Sequence, residues 1–132
     1  MATRVVVTGI GLITAVGLDA PATWAALCAG TSGIGPITQF DTTGHDVRIA
    51  GEVRGFDAAR YMDCSEQRLY DPCVAYGLAA TQEALGQSGL DVGAAPEDVG
   101  VIVGTGKGGV ASLHDLYRAL FYQGPNAVSQ HS

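Results

Sequence analysis

Charge is what this chain has least of. Charged residues fill 15% of its 132 positions, and only one of the seven basic residues is a lysine, Lys107. The formal net charge of −6, with no cluster among the arginines, excludes a general affinity for nucleic acid or an anionic membrane surface. So few charges also leave limited means of covering a small domain's surface, which implies a larger buried interface than a monomer needs. The three cysteines, Cys28, Cys64 and Cys73, are odd in number and irregularly spaced, which argues against a disulfide framework. No apolar run reaches about 18–20 residues, and no charged-plus-apolar leader opens the chain. These absences lead us to expect one modest cytoplasmic domain, with no membrane partner.

Glycine, by contrast, is plentiful at 19 residues, beside 47% hydrophobic residues. Arg4-Val5-Val6-Val7-Thr8 reads as a buried strand, because consecutive β-branched side chains pack well on a pleated surface. It runs into Gly9-Ile10-Gly11, where glycine permits a sharp turn. Asp19 and Pro21 predict a helix start, with Trp24, Leu27 and Cys28 on its apolar face and Gly30 as its stop. Residues 31–47 read as loop and Val47–Val53 as a short strand. The segment from Arg54 to Glu66 reads as irregular or a short helical turn. A longer helix is expected from Asp71-Pro72 to Ser88, with Val74, Leu78, Thr81 and Leu85 as its buried stripe. Gly77 inside it costs roughly 1 kcal/mol relative to alanine, which points to a close neighbour there. Val99–Val103 predicts a second buried strand, followed by the loop Gly104–Gly109. A last helix then carries Leu113, Leu116, Tyr117, Leu120 and Phe121 on one side, and Gly124-Pro125 closes it. Two such strands cannot cover their own hydrogen-bonding edges, and no element closes the tail from Asn126 to Ser132. The pattern is α/β and reads as part of a fold.

No motif assembles a catalytic centre. Gly104-x-Gly106-x-x-Gly109 has the spacing of a dinucleotide fingerprint, yet no Asp or Glu follows Asp115 to take a ribose. Gly9-x-Gly11-x-x-Thr14 fails at its third glycine. Tight turns explain both runs, and nucleotide binding is the weaker reading. A phosphate-binding P-loop ending at Lys107 would need glycine at Val101 and Ser or Thr at Gly108, and both fail. Cys28 lies near a helix end, where the dipole disfavours a thiolate; Cys73 lies in a first turn with no histidine nearby in sequence; Cys64 is in an irregular segment. His45, His114 and His131 show no metal-ligand spacing. Asp63, Glu66 and Asp71 read as surface charges and a helix cap. Neither a metal nor a cofactor is expected.

Several stretches together resemble the amino-terminal part of a β-ketoacyl-acyl-carrier-protein synthase, of the elongating type II kind. They are the opening strand and glycines, Trp24-x-x-Leu27-x-x-Gly30-x-Ser32-Gly33-Ile34, Phe40-Asp41 and Ile49–Val53. Glu66-Gln67-Arg68, Asp71, Tyr76, Ala79-Ala80, Glu83-Ala84-Leu85 and Ser88-Gly89-Leu90 agree as well. So do Val99-Gly100-Val101, the Gly104–Gly109 loop, Gly124-Pro125 and Val128-Ser129. All fall in one register across nearly the whole chain. The resemblance implies a thiolase-like fold, of which residues 1–132 are the N-terminal portion of the first half, truncated before the catalytic cysteine. It implies a homodimer that performs a decarboxylative Claisen condensation of an acyl thioester with malonyl carrier protein, in fatty-acid or polyketide synthesis. Such chemistry needs a thiolate at a helix N-terminus, an oxyanion hole and two histidines. None of the cysteines or histidines in this chain matches the family's, so no catalytic residue is expected here and the chain should be inactive alone.

What the resemblance carries over is substrate binding by Gly106, Lys107 and Gly108, near the acyl pocket and the dimer contact. The Lys107 position is commonly apolar in the family, so a lysine there leaves room for a polar or unusual acyl chain, unless it simply points to solvent. Pro72-Cys73, where an aromatic is more usual, and Gln130, where proline is expected, are further departures. Implied partners are an acyl carrier protein with its acyl and malonyl thioesters, the remainder of the synthase fold or a second synthase chain, and further copies of this one. The alternatives are a small dinucleotide-binding module using Gly104–Gly109, or a non-catalytic partner of a full-length synthase.

Overall fold

A computed structural model describes residues 3–94 and 96–128. Ser129, Gln130 and His131, singled out above, lie outside the described residues. The elements are α1 (Ala20–Cys28), β1 (Ile34–Pro36), β2 (Ile49–Gly51), α2 (Glu66–Leu69), α3 (Pro72–Ser88) and α4 (Val110–Gln123). Single 3-10 turns occur at Ala58–Arg60, Pro96–Asp98 and Pro125–Ala127. Two compact units divide the chain. One takes the residues up to Asp57 with Ala79–Leu90; the other takes Ala58–Leu78 with the residues from Asp91 onward.

In the first unit the glycine segment lies directly on α3. A Cβ at Gly9 would run into the carbonyl of Ala84, and one at Gly11 into the carbonyl of Ala80. Neither glycine has positive φ, so close approach, and not the sharp turn expected, is what demands glycine there. α3 then supplies hydrogen bonds that a neighbouring strand would otherwise give. Gln87 Oε1 accepts from Ile10 N at 2.6 Å, and Glu83 Oε2 accepts from Leu12 N at 2.9 Å. The other Glu83 oxygen accepts from Ala20 N at 2.8 Å, at the start of α1. One carboxylate thus ties two segments to the helix.

α1 begins where expected, with Asp19 Oδ1 accepting from Ala22 N at 2.6 Å and Pro21 in the first turn. Its expected apolar face differs: Trp24 is 69% exposed and Cys28 is exposed, while Thr23 is buried. The Thr23 hydroxyl meets Thr14 Oγ1 at 3.1 Å, and Thr14 also closes the turn to Gly17. Gly17 leaves no room for a side chain against Thr23. Polar turn chemistry fixes this helix, so its hydrophobic periodicity misplaced the inward face.

β1 and β2 pair antiparallel, Gly35 opposite Ala50, which places a strand inside the expected 31–47 loop. Glu52 locks the pair: it is buried, and its carboxylate accepts from Thr38 N (2.9 Å), Thr38 Oγ1 (2.9 Å) and Gln39 N (3.2 Å). Arg54 lies 3.3 Å from Glu52 and donates to the Pro36 carbonyl at 2.9 Å. The hydrogen bond from Thr38 N chiefly, against an opposing desolvation, holds the Glu52 carboxyl below its ordinary range.

The remaining expectations fare unevenly. α3 spans the expected residues, but its buried positions are Ala75 and Ala79, while Val74 and Leu78 are exposed. Small residues mark the face where backbone comes close. A Cβ at Gly77 would meet open space, so close packing against that face is not found among the described residues. Neither Arg4–Thr8 nor Val99–Val103 is a strand among the described residues; Val5 is 92% and Ile102 98% exposed. An extended apolar segment becomes a buried strand only when another strand takes its backbone groups, and none does so here. The apolar side of α4 is likewise largely exposed, Tyr117 and Phe121 stacking on each other at 5.9 Å.

Candidate active-site loop

The loop Gly104–Gly109 leads into α4 within the second unit. Thr105 Oγ1 accepts from Gly108 N at 2.9 Å, and Gly108 sits at φ +65°, a conformation that side chains with a Cβ rarely adopt. Gly106 and Lys107 are exposed and Gly108 is half-buried. The three residues expected to bind substrate therefore form one short turn, with the lysine presented outward.

Asp71 organises the far end of this loop. α4 starts at Gly109, which has no side chain with which to cap it. Asp71 supplies the missing acceptor from the other end of the unit's sequence. Its Oδ2 accepts from Ser112 N at 3.1 Å and from Ser112 Oγ at 3.2 Å, while Oδ1 accepts from Cys73 N at 3.1 Å in the first turn of α3. A Cβ at Gly109 would sit 2.8 Å from Asp71 Cβ, so the Asp71 side chain packs directly on the Gly109 backbone. Desolvation raises the Asp71 carboxyl, but the hydrogen bonds from Cys73 and Ser112 together outweigh it and leave the group below its ordinary range. Sequence reasoning found the cap on α3 and missed the one on α4. The available signal was an uncapped glycine start at a helix carrying serine two residues into it.

The same geometry bears on phosphate binding. Val110 N donates to the Gly108 carbonyl, Ser112 N to Asp71, and Leu113 N to the Gly109 carbonyl. These first-turn donors are the ones a pyrophosphate would need, and a carboxylate already occupies the position an anion would take.

The surroundings of Cys73 disfavour a thiolate. Burial first, then the hydrogen bond and charge of Asp71, push the Cys73 thiol up, so the first-turn position does not yield a ready thiolate. Cys28 and Cys64 are exposed. His45 packs edge-on against Phe40 at 6.0 Å, and His114 is exposed on α4. Asp63 and Glu66 cap α2 reciprocally: Asp63 Oδ1 accepts from Ser65 N and Glu66 N, and Glu66 accepts from Asp63 N at 2.8 Å. No group of three or more His, Cys, Asp or Glu that could hold a metal ion occurs among the described residues. A shallow cavity of about 310 Å³ lies along α4, lined by Asp115, Arg118, Ala119, Tyr122 and Gln123. No described helix is long and apolar enough to cross a membrane.

Among solved structures, the ishigamide ketosynthase/chain length factor superposes on 95% of this chain with a TM-score of 0.76 and 30% identity. A type II PKS ketosynthase in complex with its acyl-carrier protein superposes on 99% with a TM-score of 0.77 and 31% identity. The thiolase-like ketosynthase fold is therefore the one this chain adopts over the part it covers, 32% and 35% of those chains respectively. In sequence, the chain is 43% identical over 127 residues to 3-oxoacyl-[acyl-carrier-protein] synthase 2 of Vibrio cholerae, covering 96% of itself and 31% of that protein. It is 38% identical to the chloroplastic 3-oxoacyl-[acyl-carrier-protein] synthase I of Hordeum vulgare, covering 29% of it. The chain thus spans about a third of the length of the curated relatives it matches. Residues 2–130 match the Beta-ketoacyl synthase, N-terminal domain, and the chain belongs to that family.

Proposed function

We propose that this chain contributes the N-terminal layer of a β-ketoacyl-acyl-carrier-protein synthase, whose complete form condenses an acyl thioester with malonyl carrier protein by decarboxylation and Claisen attack. The observation that carries this reading is the match of residues 2–130 to the family in one register. Within such an enzyme we assign Gly106, Lys107 and Gly108 to the wall facing the acyl chain, and the thiolate and histidines to the rest of the synthase fold. The absence of a thiolate-favouring setting around Cys73 supports placing the nucleophile elsewhere. An outward lysine on the loop fits an acyl chain with a polar or anionic group better than a long alkyl chain, since an ammonium is costly to bury unpaired. The exposed apolar segments support assembly with further synthase sequence or with a second copy, in the cytoplasm.

The test is reconstitution. Supplied with acyl- and malonyl-loaded carrier protein, the chain alone should give no β-ketoacyl product. Adding the remaining part of a synthase as a second polypeptide should restore it. Condensation by the chain alone, or a melting shift with NAD(P) but none on adding the second polypeptide, would overturn the reading.

A further inference from the structure

We infer that Asp71 is a positioning residue for the Gly104–Gly109 loop, setting through one carboxylate where Lys107 is presented; its functional sense rests on the acyl-facing reading of that loop. Three observations converge. The loop's exit has no cap of its own, because Gly109 lacks a side chain. Ser112 brings both its N–H and its hydroxyl to the same Asp71 oxygen, at 3.1 and 3.2 Å. Gly109 touches Asp71 so closely that any Cβ would displace it. Gly109 and Ser112 are held there, and Gly108 N is held by Thr105, so the anchors close the loop on the C-terminal side of Lys107. The other carboxylate oxygen is committed to Cys73 N, so a shift of the first turn of α3 must pass to the loop through a single rigid group.

The two roles of Asp71 are separable. Asparagine caps helix starts about as well as aspartate. Asp71→Asn therefore keeps one acceptor for Cys73 N and turns an amide toward Ser112, which has donors and no longer an acceptor. Amide hydrogen exchange on the full chain reads the result without any substrate, so it stands apart from whether the loop binds an acyl group. In Asp71→Asn, exchange at Ser112, and at Gly108 within the loop it anchors, should quicken about tenfold, the usual worth of a charge-assisted hydrogen bond. Val74–Tyr76 in α3 should keep their protection. Ser112→Ala removes the hydroxyl contact and keeps the N–H one, so it should quicken the Gly108 and Ser112 amides by less. The double variant should exchange no faster than Asp71→Asn, because the hydroxyl contact is already lost there. Unchanged loop exchange, equal quickening throughout α3 and α4, or additive effects in the double variant would each overturn the proposal.

Discussion

Glycines in this chain are of two kinds, and substitution tells them apart. Gly11 lies against the Ala80 carbonyl with no space for a methyl group, whereas Gly77 faces open space inside α3. Gly11→Ala should cost about 1–3 kcal/mol through overpacking. Gly77→Ala should gain about 0.5–1 kcal/mol by limiting the unfolded chain. Urea unfolding of the two variants checks both signs; equal effects would contradict the packing described. Glu52 gives a pH signature. Its carboxyl titrates below the ordinary range when folded, so its stabilisation is complete above the unfolded value. That stabilisation is lost as pH falls through the lower, folded one. Melting temperatures should therefore drop on acidification below about pH 4, and Glu52→Gln should flatten that part of the curve. Asp41, Asp63 and Asp71 shift in the same direction, so the flattening will be partial.

At the scale of elements, helices were more legible than their faces. Asp19-Pro21 and Asp71-Pro72 announced α1 and α3 because caps and prolines act locally, within a turn of where they sit. The inward faces depended on what lay opposite. α3 turns Ala75 and Ala79 inward and meets a glycine segment through Ala80 and Ala84, so its contact surface is written in small residues and escapes a search for large ones. The candidate loop was legible as a turn before a helix. Its anchor was not, since Asp71 and Ser112 are 41 positions apart. Glu83 holds both the glycine segment and the start of α1 to α3. Glu83→Ala leaves Leu12 N and Ala20 N without an acceptor, and should cost about 1.5–3 kcal/mol. Glu83→Gln should recover part of it, because one oxygen remains. Thermal melts of both variants decide; an unaffected Glu83→Ala protein would show that water replaces the carboxylate at no cost.

For the whole molecule, the exposure of Val5–Val7 and Val101–Val103 is the dominant fact. Each presents β-branched side chains and backbone groups that pair with no strand among the described residues, which templates association. The chain alone should therefore self-associate or bind hydrophobic dyes, and Val6→Lys with Ile102→Lys should reduce both while leaving helical circular dichroism intact. Sedimentation at several concentrations measures this; a monomer that unfolds cooperatively in dilute solution would refute it. The family match suits the same picture, since relatives carry about three times this length.

The hydrogen bonds from Ile10 to Gln87 and from Leu12 to Glu83 also impose a schedule. They join residues 77 and 71 positions apart, so the glycine segment has nowhere to settle until α3 has been synthesised. At about 5–20 residues per second, that delay is roughly 4–15 s. Throughout it Val5-Val6-Val7, exposed even in the folded chain, is open to a chaperone acting on the emerging polypeptide.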